Sequence, residues 1–271
     1  MPCLGSRLAS GKLSKAEAHT LVARDGQSLP DAWREAGLNP DLMGPDDVLL
    51  EASCFVELHV EQGRGLADVG HPVAIATAVR PHGRWRAEFT GQGNHAGTTL
   101  IPDRHDPVVP MAQTILAARE AAEREGCVTT VGRINVEPGG TNVIASAATM
   151  WLDCRAEESQ TVTKVVEDIQ QASETAADKQ GCQVVWTRES WTDRTAFDLR
   201  ARMLQILGED IPQLSTGAGH DAATLATTMP TGMLFVRNPT GASHCPAESA
   251  RDADCEAGAE ALQTVLEELV K

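Results

Sequence analysis

The sequence contains no tyrosine and only four phenylalanines and five tryptophans among its 271 residues. This scarcity of aromatic side chains leaves little surface on which single-stranded bases could stack. Basic residues are also few, with 23 Lys and Arg against 38 Asp and Glu, so the formal net charge is −15. Nucleic-acid binding requires clustered cations that neutralise phosphates. We therefore expect no nucleic-acid partner.

Long apolar runs are missing as well. The best candidate, residues 72–79, stops at Arg80, whereas a membrane span requires about 18–20 apolar residues. The amino terminus has no apolar segment of signal-peptide length, which argues against export. The seven cysteines are odd in number and scattered without a CxxC spacing, so they indicate reduced thiols and not a disulfide framework. These absences predict a cytoplasmic protein without a membrane partner.

The pattern between residues 84 and 188 predicts a β-α-β-β-α-β order, the split βαβ arrangement. Trp85, Ala87 and Phe89 alternate with polar residues, as in a half-buried strand. A later helix, with Ser159 as its expected N-cap, carries an apolar stripe at helical spacing. The termini of such a unit lie close together, which suits insertion into another domain. We therefore assign residues 79–189 to an inserted domain and residues 1–78 and 190–271 to an α/β host domain.

Only three strands are evident in the host domain, over residues 54–59, 72–79 and 231–237. An α/β sheet usually has about 4–6 strands, so the predicted sheet is short. The segment LSTGAGHDAA, residues 214–223, is predicted as a loop. Helices are expected from Lys15 to Arg24 and over residues 196–207.

Two histidines lie at or after the ends of predicted strands in the host domain. His59 ends the strand 54–59, and His244 lies in a Gly- and Pro-rich loop directly after the strand 231–237. Ligands bind at the carboxyl ends of strands in open α/β sheets. The alternatives are a core histidine hydrogen-bonded to a carbonyl for His59 and a solvent-facing loop for His244.

Two further histidines lie among glycines. His95 is surrounded by glycines that permit close backbone approach to a ligand. The alternative is that these glycines form a flexible loop without a ligand. His220 follows a Gly-Ala-Gly run whose amides could face an anion at a helix start, and a helix cap by Asp221 is the alternative. The sequence has no phosphate-loop, dinucleotide-binding, HExxH or GxSxG signature.

Taken together, five ordered segments resemble one family. They are similar to the N-carbamoyl-L-amino acid hydrolase and allantoate amidohydrolase family, the amidase branch of the dinuclear-metal aminoacylases and carboxypeptidases. The resemblance extends from Leu4 to the C-terminal helix. The segments are ELHVEQG (57–63), FTGQGNHAGTT (89–99), GTNVIAS followed by WLDCR (140–155), STGAGHDAA (215–223) and MLFVRNPTGASHCPAE (233–248).

The resemblance implies a metallopeptidase-like α/β catalytic domain interrupted by a βαββαβ, ferredoxin-like dimerisation or lid domain. The implied reaction is metal-dependent hydrolysis of a carbamoyl or ureido C–N bond in a small molecule, either allantoate or an N-carbamoyl-L-amino acid. The family holds two divalent ions, for which zinc, manganese and cobalt all suit mixed histidine and carboxylate ligands. It also implies a homodimer, formed here through residues 79–189.

The resemblance assigns roles to residues of both domains. His59 would bind one metal ion and His244 the other, while Gln62 would line the substrate site. The loop 215–223 would support the substrate pocket with backbone groups.

Three residues of the inserted domain would reach towards the neighbouring subunit's active site. His95 would stabilise the oxyanion that develops at the attacked carbon. Asn142 and Arg155 would hold the substrate carboxylate, Arg155 through a forked ion pair.

The sequence departs from the family where it begins, because other metal ligands and the general base are expected before the segment CLGSR. Two histidines cannot build two zinc sites, since each catalytic site normally has three protein ligands. Glu61, Glu248 and Asp221 are candidate substitutes. We therefore expect impaired activity. The alternatives are a non-catalytic dimerising remnant and one half of a split enzyme.

Overall fold

The structure, a computed structural model, describes residues 3–23 and 25–271. The chain divides into two compact units, the first formed by Met1–Val79 with Thr195–Lys271 and the second by Arg80–Arg194. Both units mix helices with a sheet, so the predicted α/β class is confirmed. None of the helices in the described part combines the length and apolar character that crossing a membrane requires. All seven cysteines are free thiols.

The helices follow one another along the chain as α1 (Leu4–Ala9), α2 (Lys15–Thr20), α3 (Leu29–Glu35), α4 (Asp47–Leu50), α5 (Gly65–Val69), α6 (Val108–Glu125), α7 (Ser159–Lys179), α8 (Arg200–Leu207), α9 (Asp221–Leu225) and α10 (Asp252–Leu269). The strands are β1 (Phe55–Val60), β2 (Val73–Val79), β3 (His82–Thr90), β4 (Asn94–His95), β5 (Val128–Glu137), β6 (Val143–Ile144), β7 (Ala147–Arg155), β8 (Gln183–Thr192), β9 (Thr195–Ala196), β10 (Gln213–Thr216) and β11 (Thr231–Val236). Short 3-10 turns occupy Pro40–Leu42 and Ile101–Asp103.

The first unit contains a five-stranded sheet in the order β1-β11-β2-β10, with β9 also paired to β2. β1 runs parallel to β11 and β10 runs parallel to β2, while β11 and β2 are antiparallel. The expectation of three strands was wrong, because β9 and β10 were missed. β9 is only two residues long, and β10 occupies the start of a segment whose glycines indicated a loop.

Helix boundaries in the first unit also differ from expectation. α2 ends at Thr20, and the predicted end at Arg24 lies outside the described residues. α8 begins at Arg200 and not at Ala196, because Thr195–Ala196 pairs with the end of β2.

β2 and β11 form the middle of this sheet and are buried almost throughout. One core cluster is built around Leu66, Met233 and Phe235, and a second around Ile75 and Leu234 packs with residues of α8 and α10. Since β1 and β11 are parallel, their carboxyl ends meet at one edge of the sheet. The loops that follow these two strands therefore start side by side.

The second unit contains an antiparallel sheet in the order β5-β7-β3-β8. β7 alternates between half-buried and buried residues, and α6 and α7 cover the buried face, as period-two and helical patterns predict. Ser159 was wrongly expected to be an N-cap. It is the first residue of α7, and Glu158, which has extended backbone angles, occupies the cap position.

Candidate metal centre

Three potential metal ligands converge in the first unit. Glu57 and His59 alternate along β1 and so project from the same face of the strand. His220 immediately precedes α9, and its ring meets that of His59 edge to face, with the centroids 4.7 Å apart. One donor atom from each of the three residues lies within 4.8 Å of the other two. Two imidazoles and one carboxylate are a ligand set that divalent zinc or manganese accepts.

Glu57 is held as an anion in this cluster. Its Oε2 accepts a hydrogen bond of 2.7 Å from the Ala222 amide at the start of α9, and its Oε1 lies 3.5 Å from Nδ1 of His220. Burial raises the pKa of the Glu57 carboxyl, but His220 and the Ala222 amide outweigh burial and hold the pKa below its usual value. The carboxylate therefore adds a negative charge to the two imidazoles.

The hydrogen bonding of His59 fixes which ring nitrogen can bind a ligand. Its Nδ1 lies 2.8 Å from the Val60 carbonyl oxygen. A carbonyl only accepts, so Nδ1 carries the proton and Nε2 of the neutral ring retains its lone pair. A carbonyl partner of this kind is common for metal-binding histidines. The core-histidine alternative and the ligand role are therefore compatible.

His220 lies deeper, with only 4% of its surface exposed. Its Nε2 is 3.4 Å from the Thr216 hydroxyl, and its ring packs against Phe235 at 6.1 Å between centroids. The alternative of a helix cap by Asp221 was wrong, because His220 itself occupies the cap position and its side chain makes no capping bond. The chain order alone could not place His220 over β1, whereas the two-residue spacing of Glu57 and His59 puts both on one face of β1.

The loop after β11 brings His244 to Gln62. Nε2 of Gln62 lies 3.4 Å from Nε2 of His244 and 3.3 Å from the Ser243 hydroxyl. Glu248 shapes this loop by accepting a hydrogen bond of 2.8 Å from the His244 amide. His244 has a positive φ of 56°. Within residues 3–23 and 25–271, the buried Oε1 of Gln62 has no hydrogen-bond partner. His244 lies outside the three-residue cluster of Glu57, His59 and His220.

The three carboxylates considered as substitute ligands have other partners. Glu61 is buried and accepts hydrogen bonds from the Gly65 and Leu66 amides, at 2.7 and 2.8 Å, where α5 begins. Asp221 accepts a hydrogen bond of 2.6 Å from the Ser6 hydroxyl, and Glu248 orders the loop described above. The carboxylate that clusters with His59 and His220 is instead that of Glu57.

In the second unit, β4 and β6 join the segments of His95 and Asn142. His95 pairs with Val143, and the Asn142 carbonyl accepts a hydrogen bond of 3.1 Å from the Ala96 amide. Both residues are exposed. β7 begins at Ala147, shortly after Asn142 in the chain, and ends at Arg155. Arg155 therefore lies about 26 Å along the strand from the end that is near Asn142.

Comparison with known proteins gives a consistent result. The sequence profile of peptidase family M20/M25/M40 matches residues 37–268. The chain is 36% identical over 269 residues to an N-carbamoyl-L-amino acid amidohydrolase from Geobacillus stearothermophilus, covering 96% of this chain and 65% of the relative. It is 27% identical over 277 residues to an allantoate amidohydrolase from Escherichia coli strain K12, covering 98% and 66%.

A solved structure is similar over the same extent. It is an amidase of the hydantoinase/carbamoylase family from Burkholderia vietnamiensis, which matches with a TM-score of 0.80 and 25% identity over 97% of this chain and 65% of that one. The chain therefore spans just under two thirds of the length of these relatives.

Proposed function

The chain belongs to peptidase family M20/M25/M40, and on that premise we propose that it hydrolyses a carbamoyl or ureido C–N bond in a small carboxylate-bearing molecule. The observation that carries the proposal is the convergence of Glu57, His59 and His220 within 4.8 Å. The named activities of two relatives, on N-carbamoyl-L-amino acids and on allantoate, supply the substrate class.

Glu57, His59 and His220 would hold a divalent cation, either zinc or manganese. Ureido carbons are poor electrophiles, and a bound cation would supply Lewis-acid polarisation and water activation. His59 would bind the cation through Nε2, because its Nδ1–H already donates a hydrogen bond to the Val60 carbonyl. His244, on the adjacent loop, is proposed as the ligand of a second cation. Gln62 is proposed to contact the substrate, which is supported by its buried Oε1 without a partner among the described residues.

His95, Asn142 and Arg155 are proposed to complete substrate recognition. His95 would donate a hydrogen bond to the developing oxyanion, and Asn142 and Arg155 would hold the carboxylate. Arg155 is the last residue of β7, whereas Asn142 lies just before the first residue of that strand, Ala147. Because this separation is larger than a small substrate, the proposed homodimer differs from the arrangement that the resemblance implies, in which all three residues reach the neighbouring subunit's site. We propose instead that one copy supplies Arg155 to a substrate and the other copy supplies His95 and Asn142.

Dimerisation is proposed to use the second unit. Its outer strands β5 and β8 expose apolar side chains, with Ile134 at 56% and Val185 at 61% exposure. Unpaired outer strands with apolar side chains are templates for pairing with another chain. This supports the pairing of two copies through residues 79–189.

The proposed function is tested with the purified chain after dialysis against a chelator and reloading with Mn²⁺ or Zn²⁺. Bound metal is measured by mass spectrometry, ligand binding by calorimetry, and ammonia release with allantoate and an N-carbamoyl-L-amino acid. We expect stoichiometric metal that is lost in His59→Ala, and saturable binding or turnover of one of the two compounds. A chain that holds no metal, or that neither binds nor hydrolyses either compound when loaded, would refute the proposal.

A further inference from the structure

Arg155 forms an ion pair with a residue of its own strand, Asp153. Asp153 precedes it by two residues on β7, so both side chains project from the same face of the sheet. Nε of Arg155 donates to Oδ1 of Asp153 at 2.6 Å, and Nη2 donates to Oδ2 at 2.9 Å. A two-point contact of this kind fixes the plane of the guanidinium as well as its position.

Arg84 adds a second cation to the same carboxylate. It lies directly opposite Asp153 in the ladder between β3 and β7, and its Nε donates to Oδ2 of Asp153 at 3.1 Å. Burial raises the pKa of the Asp153 carboxyl, but Arg155 and then Arg84 outweigh burial and lower it. The cluster of Arg84, Asp153 and Arg155 thus contains two positive charges and one negative charge.

We propose that Asp153 is a positioning residue for substrate recognition, which orients the Arg155 guanidinium towards the carboxylate of the substrate. The inference rests on the proposed function, because it assumes that Arg155 binds that carboxylate. An oriented guanidinium loses less rotamer freedom when a ligand binds. Because Arg84 also pairs with Asp153, the aspartate neutralises the Arg155 guanidinium less than it would if Arg155 were its single cationic partner.

The variant Asp153→Asn tests this role with little change in volume. An asparagine has one acceptor and one donor group, so its NH₂ would face an N–H of Arg155 and turn the guanidinium away. The dissociation constant is measured by calorimetry for an N-carbamoyl-L-amino acid and for the same compound with its carboxylate converted to a carboxamide. We expect Asp153→Asn to weaken binding of the carboxylate compound by up to about tenfold, the cost of ordering one flexible side chain on binding, and to leave carboxamide binding unchanged.

Two further variants separate the possible failures. Asp168→Asn removes a different aspartate of the second unit, one paired with Arg124 at 2.5 Å on the helical layer, and it should bind both compounds like the unaltered chain. Arg155→Gln should abolish the preference for the carboxylate compound. If the unaltered chain shows no such preference, or Arg155→Gln retains it, the proposed function of Arg155 is wrong and the inference fails with it.

The role of Asp153 is refuted on its own if Arg155→Gln loses the preference but Asp153→Asn keeps it. Tighter binding of the carboxylate compound by Asp153→Asn also refutes it, because Asp153 would then compete with the substrate. Equal weakening for both compounds would indicate a purely structural role, which the thermal unfolding midpoint of the variant checks.

Discussion

His59 and His220 meet ring edge to ring face at 4.7 Å, although one lies on β1 and the other directly precedes α9. Glu57 links the two elements, because its carboxylate accepts a hydrogen bond from the Ala222 amide of α9 and faces Nδ1 of His220. The ligand cluster therefore depends on the docking of α9 against β1. Any metal affinity of this cluster is a property of the folded first unit and not of a short sequence motif.

This dependence predicts the effect of His220→Ala on metal binding. Loss of one of three ligands should lower the affinity for Zn²⁺ or Mn²⁺ by at least about 100-fold, since even orienting partners of a ligand contribute 10–100-fold. Competition with a chromogenic chelator measures this affinity. His19→Ala is the control, because His19 contacts only the Pro40 carbonyl in the described hydrogen-bond network. Equal affinity in His220→Ala and His19→Ala would exclude His220 as a ligand.

Acid should remove the contribution of Asp153 to stability. Its pKa is lowered in the folded chain, below the value of about 3.9 for an unfolded aspartate. A lowered pKa stabilises the folded chain at neutral pH, and this stabilisation is lost as the pH falls through the folded-state value. We therefore expect Asp153→Asn to be less stable than the unaltered chain by about 1–3 kcal/mol at pH 7.

The difference should shrink as the pH falls below about 4, because the unfolded Asp153 takes up its proton there and the folded carboxylate does so only at its lower pKa. Urea unfolding at several pH values measures it. A difference in unfolding free energy that stays constant from pH 7 to pH 3 would show that Asp153 does not contribute through its charge.

Much of the fold followed from patterns in the sequence. The alternation of Trp85, Ala87 and Phe89 with polar residues predicted a half-buried strand, and in β3 these three side chains are buried among residues of α6 and α7. The pattern was informative because side chains two residues apart on a strand lie on the same face. β9 and β10 were missed because two- and four-residue strands carry too few side chains to show a period. The five motifs indicated the family, and the match over residues 37–268 confirmed it.

The site was only partly predictable. Glu57 and His59 share a face through strand periodicity alone, but His220 joins them through tertiary folding that no local pattern encodes. The rule for strand ends placed His59 and His244 at or after the carboxyl ends of two strands, but it did not predict that β1 and β11 are parallel neighbours, which is what brings Gln62 to His244. The roles of His244, His95, Asn142 and Arg155 remain predictions that rest on the family resemblance.

The proposed dimer predicts the effect of a charge on the outer strands. Ile134→Lys on β5 or Val185→Lys on β8 places an ammonium group on an exposed apolar position, and such charges block strand pairing. We expect at least one of the two variants to be monomeric at a concentration where the unaltered chain is dimeric, as measured by light scattering after size exclusion. Leu116→Lys on α6 is the control, since Leu116 is exposed on the helical layer. A dimer that persists in both strand variants would place the interface elsewhere.

The ion pair between Arg237 and Asp254 predicts the largest loss of stability. Arg237 directly follows β11, and its Nη2 and Nε donate to the two oxygens of Asp254 at 2.6 and 3.0 Å in the first turn of α10. Asp254 is only 3% exposed, so Asp254→Asn leaves a largely buried guanidinium without its counter-charge. Breaking a buried pair costs about 3–5 kcal/mol, and we expect the lower end because Arg237 is partly exposed. Glu123→Gln breaks a well-exposed pair with Arg119 and should cost at most about 1 kcal/mol. Similar unfolding free energies for the two variants would mean that the pair does not hold α10 to the end of β11.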